Sequence, residues 1–203
     1  YRAKEGQYLF TLICQHLYGE QIGEYAVSQS IKEWNQNAFL WGVQGYEFLT
    51  FHRFLFWQSG IMLKSYTERF DSLELSTILK AIDDYRQKKD TPVLRCYRFG
   101  LECRAVLKAE TEPFIQYGLH MLKQAYPKEQ ELSLRNKIET SLDIILLRYL
   151  KGQLPIEFDM KQIFPKDEAV QLEVASLYCY LLNILFDEKQ ELSVLLQATE
   201  DAR

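Results

Sequence analysis

Apolar residues recur at three- and four-residue steps along almost the whole chain, and nowhere do they alternate over the length of a strand. That rhythm demands amphipathic rods packed on their apolar faces. The punctuation agrees: 9 Gly and 5 Pro occur in 203 residues, and no Asn-Gly or Asp-Gly hairpin signal is present. At 47% hydrophobic and 26% charged residues, the composition excludes a disordered or collagen-like chain. The expected fold is all-α, with about nine helices in antiparallel hairpins, as an α-solenoid-like array or an irregular bundle. The length fits a single helical domain over 1–203, with sub-units 1–70 and 71–203 as the alternative division.

The period places a first helix at about 4–18, a turn at Gly19 and Gly23, and a second helix at 21–35. Asn37 reads as the N-cap of a long aromatic helix ending near Gly60. Asp71 and Ser72 open the next segment, whose last turn carries Arg86, Lys88 and Lys89. Thr91-Pro92 is a strong start, a capping hydroxyl followed by proline at the first helical position. Thr111-Glu112-Pro113 reads as a second start, which splits 92–109 from 113–125. A helix over about 130–151 ends at Gly152, residues 153–165 form an irregular apolar segment, and a helix follows from about 167 to 186. Asp187 is expected to cap a last helix running through Leu196.

The two starts lie about twenty residues apart, and the pair 92–125 has Gly100 in its first helix, Gly118 in its second and Pro127 at its end. In size and in these positions it resembles a tetratricopeptide-type helical hairpin. Trp41 and Gly45 stand at the same family's step in 37–64, whereas Trp57 and Lys64 occupy positions that are small in that family. The resemblance covers about half the chain. It implies α-solenoid packing and binding of a protein or peptide, and it carries no functional residues across.

Catalytic signals are sparse. There is no GxSxG, HExxH, P-loop or GxGxxG, and Asp83-Asp84 lacks the third acid of a DDxxD metal motif because Gln87 stands there. His16, His52 and His120 have no ligand-spaced partner, so neither a metal nor another cofactor is expected. Cys14, Cys96, Cys103 and Cys179 show no CxxC spacing and read as buried thiols of a reducing, cytoplasmic setting. A net charge of −4 offers no field for nucleic acid. The start, Tyr-Arg-Ala-Lys-Glu-Gly, lacks a signal-peptide pattern, and 39–63 is too polar to span a membrane.

The most informative feature is the segment 38–58, which places Phe39, Trp41, Tyr46, Phe48, Phe51, Phe54, Phe56 and Trp57 around most of a helix. One neighbour cannot bury all these rings. Either the helix is central to the bundle, or some rings form a binding surface. Trp41, Tyr46, His52, Arg53 and Trp57 are therefore candidate ligand or partner residues, joined by Arg95 and Arg98 of the basic run on the following helix. The expected function is a non-catalytic protein- or peptide-binding module, regulatory or scaffolding. A small-molecule-binding domain with an aromatic-lined pocket is the alternative, and an all-α enzyme without a recognisable motif is the third reading.

Overall fold

The structure, a computed structural model, describes residues 11–53 and 63–203. Among them every regular element is helical: α1 (Thr11–Ser28), α2 (Gln36–Gln44), the single turn α3 (Phe48–Phe51), α4 (Lys64–Asp71), α5 (Leu75–Arg86), α6 (Pro92–Ala125), α7 (Glu131–Lys151), α8 (Glu168–Phe186) and α9 (Leu192–Asp201). The all-α expectation holds, and several boundaries move.

The core is built where α2 crosses the first half of α6. Both helices carry glycine at the crossing. A Cβ on Gly42 would lie 2.1 Å from the Tyr97 carbonyl oxygen, and one on Gly100 would lie 2.3 Å from that of Phe39. Backbones this close let the aromatic residues flank the contact rather than hold it open. Trp41 packs on Phe164 (ring centroids 4.9 Å apart), and Phe48 packs edge-on to Tyr178 (4.9 Å). The hydroxyls of Tyr97 and Tyr178 are hydrogen-bonded at 2.8 Å in an otherwise apolar interior. Helix α8 runs through this body with Val170, Val174, Leu177, Leu181 and Leu182 buried. By length and composition α8 alone among the described helices could cross a membrane; here those five residues lie in the core, while Leu172 and Ile184 are exposed.

Gly19 and Gly23 do not make a turn, because α1 runs through both. Gly19 sits where α1 meets α2, and a Cβ there would already touch Leu40 at 3.0 Å. The chain reverses later, after Ser28, through Ser30 and Glu33 at positive φ. The cap of α2 is Asn35, whose side chain accepts the Ala38 N–H at 2.9 Å, while Asn37 donates to Asp167 at 3.1 Å. The long aromatic helix is interrupted at Gly45 (φ +62°), so Tyr46 and Phe48 leave on a new axis. Residues 54–60 of that expected helix lie outside the described residues. Helix α5 begins at Leu75 rather than at Asp71, which closes α4. Asp187 adopts a left-handed conformation (φ 56°) at the end of α8, and α9 starts only at Leu192.

The largest departure is at Pro113, which lies inside α6, a single rod of 34 residues. Thr91 caps it as expected, accepting the Leu94 N–H at 3.2 Å. Thr111 instead donates its hydroxyl to the Leu107 carbonyl at 2.8 Å. Ala109 and Pro113 are both exposed, so water can reach the carbonyl that proline leaves without a donor. Residues 92–125 are therefore one helix, and the hairpin expected there is absent. The second half of α6 pairs with α7 as an arm. Ile115 and Leu119 meet Leu134 and Ile138 in a small core of their own. Gly152 (φ 68°) ends α7 as expected, and Phe158, Ile163 and Phe164 pin the irregular segment to the body.

Candidate functional site

The residues singled out in the sequence separate into different places. Trp41 is wholly buried, its indole N–H donating to the Pro165 carbonyl at 3.0 Å. Tyr46 is buried too. Its hydroxyl donates to Asp71 at 2.7 Å, and burial pushes its pKa up. Arg95 pairs with Asp90 at 2.7 Å and with Glu33. Arg98 pairs with Glu102 at 2.9 Å and Asp83 at 3.0 Å. These two arginines thus tie α6 to the loop before α2 and to α5, and neither joins the aromatic core. Trp57 lies outside the described residues.

His52 and Arg53 meet the C-terminal helix. His52 Nδ1 lies 2.8 Å from Asp201 Oδ2, which also accepts the Arg53 N–H at 3.2 Å. An oriented imidazole of this kind is half of a catalytic constellation. Its other nitrogen, Nε2, is buried without a hydrogen-bond partner. His52 lines none of the clefts described here, and the pair serves as a tether between the end of α3 and α9.

A further concavity lies where α1, α6 and α7 meet. It is a cleft of about 290 Å³ with five carboxyl groups and three cations on its walls. Each cation is already engaged. Arg104 donates to the Gln44 carbonyl at 2.6 Å and to Glu47 at 2.7 Å. Burial is the largest single influence and works against its charge, but Glu47, Tyr46 and Asp71 together outweigh it and raise the Arg104 pKa. Lys108 lies 3.4 Å from Asp71. Arg135 grips Glu112 through both carboxylate oxygens, at 2.8 and 2.7 Å, and Glu139 at 2.8 Å. Hydrogen bonds from Arg135 hold Glu112 down to about 2, whereas burial raises Glu139.

Asp143 is the exception. It is 1% exposed and has no cationic partner among the described residues. One oxygen accepts the Cys14 N–H at 2.9 Å. The other, Oδ2, has no hydrogen-bond partner among the described residues. Burial, reinforced by Glu139, pushes Asp143 up to about 8. The Cys14 thiol beside it is pushed up to about 11 by burial and so stays protonated. Sequence reading missed this site because it joins residues 129 positions apart. The one available signal was a lone acid inside the apolar run Ser-Leu-Asp-Ile-Ile-Leu-Leu.

A second feature is the outer face of the arm. Val106, Phe114, Tyr117 and Met121 are 53%, 57%, 66% and 48% exposed. Their spacing keeps them in one stripe, opposite the Ile115 and Leu119 face that α7 covers. Glu110 sits within that stripe. Comparison with protein-family models, with curated proteins and with solved structures finds no match for the chain.

Proposed function

We propose that this chain is a non-catalytic protein- or peptide-binding helical module, regulatory or scaffolding in role, and that it docks its partner on the outer face of α6. The observation that carries this reading is the exposed stripe Val106, Phe114, Tyr117 and Met121. Contiguous exposed apolar residues on a soluble surface mark interaction sites, and aromatic anchors dominate binding energy. The stripe covers sixteen residues, about 22 Å of helix, a length that suits one apolar face of a partner helix with a basic residue opposite Glu110. The aromatic-lined pocket of the alternative reading has less support, because the α2 rings are taken up by other rings, Phe39 by Trp34 and Phe99 and Trp41 by Phe48 and Phe164, and line no part of the cleft between α1, α6 and α7. Four free thiols accord with a cytoplasmic setting.

The test is site-specific photo-crosslinking in native extract, with a benzophenone side chain at Tyr117 or, as control, at exposed Leu172 on α8. The proposal expects a discrete adduct at the first position only, abolished by Met121→Glu with folding unchanged. Equal adducts at both positions, or an adduct indifferent to Met121→Glu, refute it. An adduct of twice the chain mass would show that a second copy, rather than a different protein, occupies the face, and would refute the partner chosen here.

A further inference from the structure

The cleft between α1, α6 and α7 contains a buried carboxyl group, Asp143, that no cation among the described residues pairs. Buried carboxylates are ordinarily paired or fully hydrogen-bonded, and each exception calls for an explanation. Here the three cations of the walls are taken by Glu47, Asp71, Glu112 and Glu139. Asp143 is left with a buried oxygen that no group among the described residues contacts by hydrogen bonding. Glu47 Oε2, on another wall of the same cleft, is likewise without a partner. Leu107, Ile115 and Leu142 supply apolar wall between these polar groups. Among the described residues no three His, Cys, Asp or Glu side chains are grouped to hold a metal ion. The complement to such a site is a cation that needs one carboxylate and carries its own apolar skeleton.

We propose that this cleft binds a small organic ammonium ion, with its charged head on the Asp143 carboxylate and its carbon chain against Leu107, Ile115 and Leu142. The site is separate from the docking face, none of whose four apolar residues lines the cleft. Binding favours the ionised form of Asp143, so it releases a proton, and affinity rises with pH towards about 8. The groups facing Asp143 do not blur this dependence. From α1, Cys14 stays neutral below about 11. From α6, Glu112 remains ionised above about 2, and Arg104 is raised by Glu47. From α7, Arg135 is raised by Glu112, while Glu139 is raised by burial and shares the direction of Asp143. Glu47, Asp71 and Lys108 complete the charged walls.

The test is calorimetric titration of the full chain with n-butylamine and 1,4-diaminobutane at constant ionic strength, with n-butanol as the neutral control. The proposal expects one saturable amine site per chain and at least tenfold weaker binding of the alcohol. It expects the amine dissociation constant to fall by up to about tenfold per pH unit between about pH 6 and pH 8. Asp143→Asn, which keeps an acceptor for Cys14, is expected to weaken amine binding tenfold or more and to remove its pH slope. Leu142→Trp, which fills the cleft and leaves Asp143 in place, is expected to abolish binding without loss of the fold. Absence of saturable amine binding, equal binding of n-butanol, or a folded Asp143→Asn that binds as before overturns the proposal. Should Asp143→Asn fail to fold, unchanged amine binding by Leu142→Trp overturns it alone.

Discussion

In the body of the molecule Trp41, Phe48, Phe70 and Tyr178 touch one another through ring centroids 4.9 to 5.9 Å apart or through a shared neighbour, and all four are buried. In the arm the contact is made by aliphatic side chains, Ile115, Leu119, Leu134 and Ile138, while Phe114, Tyr117 and Tyr149 face solvent. The same residue type therefore does opposite work in the two regions. In the body many elements crowd one volume, and only large flat side chains fill the space between crossing helices. In the arm two helices meet along one seam, so every ring outside that seam is left out. An aromatic residue thus reports function only after the number of surrounding elements is known.

The contrast can be broken by substitution. Trp41→Ala removes a fully buried ring and its hydrogen bond to Pro165, and is expected to cost about 3–5 kcal/mol by chemical denaturation; an unchanged melting temperature would remove Trp41 from the core. The glycines sharpen the comparison. Gly100→Ala drives a methyl group into the Phe39 carbonyl, a backbone atom 2.3 Å away, and should cost at least about 1–3 kcal/mol. Gly118→Ala in the arm meets only the end of the Ile138 side chain at 3.0 Å, and the gain in helix propensity, about 1 kcal/mol, offsets the crowding. Equal effects at the two positions would mean that the body and the arm are packed alike.

The junction of the two regions adds a pH dependence. Asp143 holds its proton more tightly when folded, about 8 against an ordinary value of 3.8. The native state therefore binds more protons between those limits, and stability falls as pH rises through the window, by at most about 1.4 kcal/mol per pH unit. Glu112 acts in the opposite sense. Its carboxyl is held down to about 2, so its contribution is present at neutral pH and is lost as pH falls below the ordinary value of 4.5. Denaturation midpoints across pH should show the first slope disappear in Asp143→Asn. The smallest effect is expected at Arg98→Ala, which removes half-exposed ion pairs to Asp83 and Glu102 and should cost less than about 1 kcal/mol.

What could be read in advance follows from how local the cause was. Thr91-Pro92 and Gly152 act on the turn beside them, and each marks a helix end in the structure. Gly19 and Gly23 were misread because their reason lies in α2, against which α1 packs. Pro113 was misread because the carbonyl it leaves without a donor belongs to exposed Ala109, which makes its defect tolerable within a long rod. The cleft was illegible for a stronger reason: Glu47, Arg104, and the α7 pair Arg135 and Asp143 come from three segments, and nothing in their spacing foretells that they converge.

The claim on which both the arm and its docking face rest is that α6 is one uninterrupted helix. Spin labels placed at Arg95 and Gln124 by chemistry that spares the four cysteines measure this directly. A single rod separates the two positions by about 44 Å at 1.5 Å per residue. A hairpin folded at Thr111–Pro113 would bring them to about 10–20 Å, roughly the distance between packed helices plus the label arms, and a distribution centred there would contradict the account.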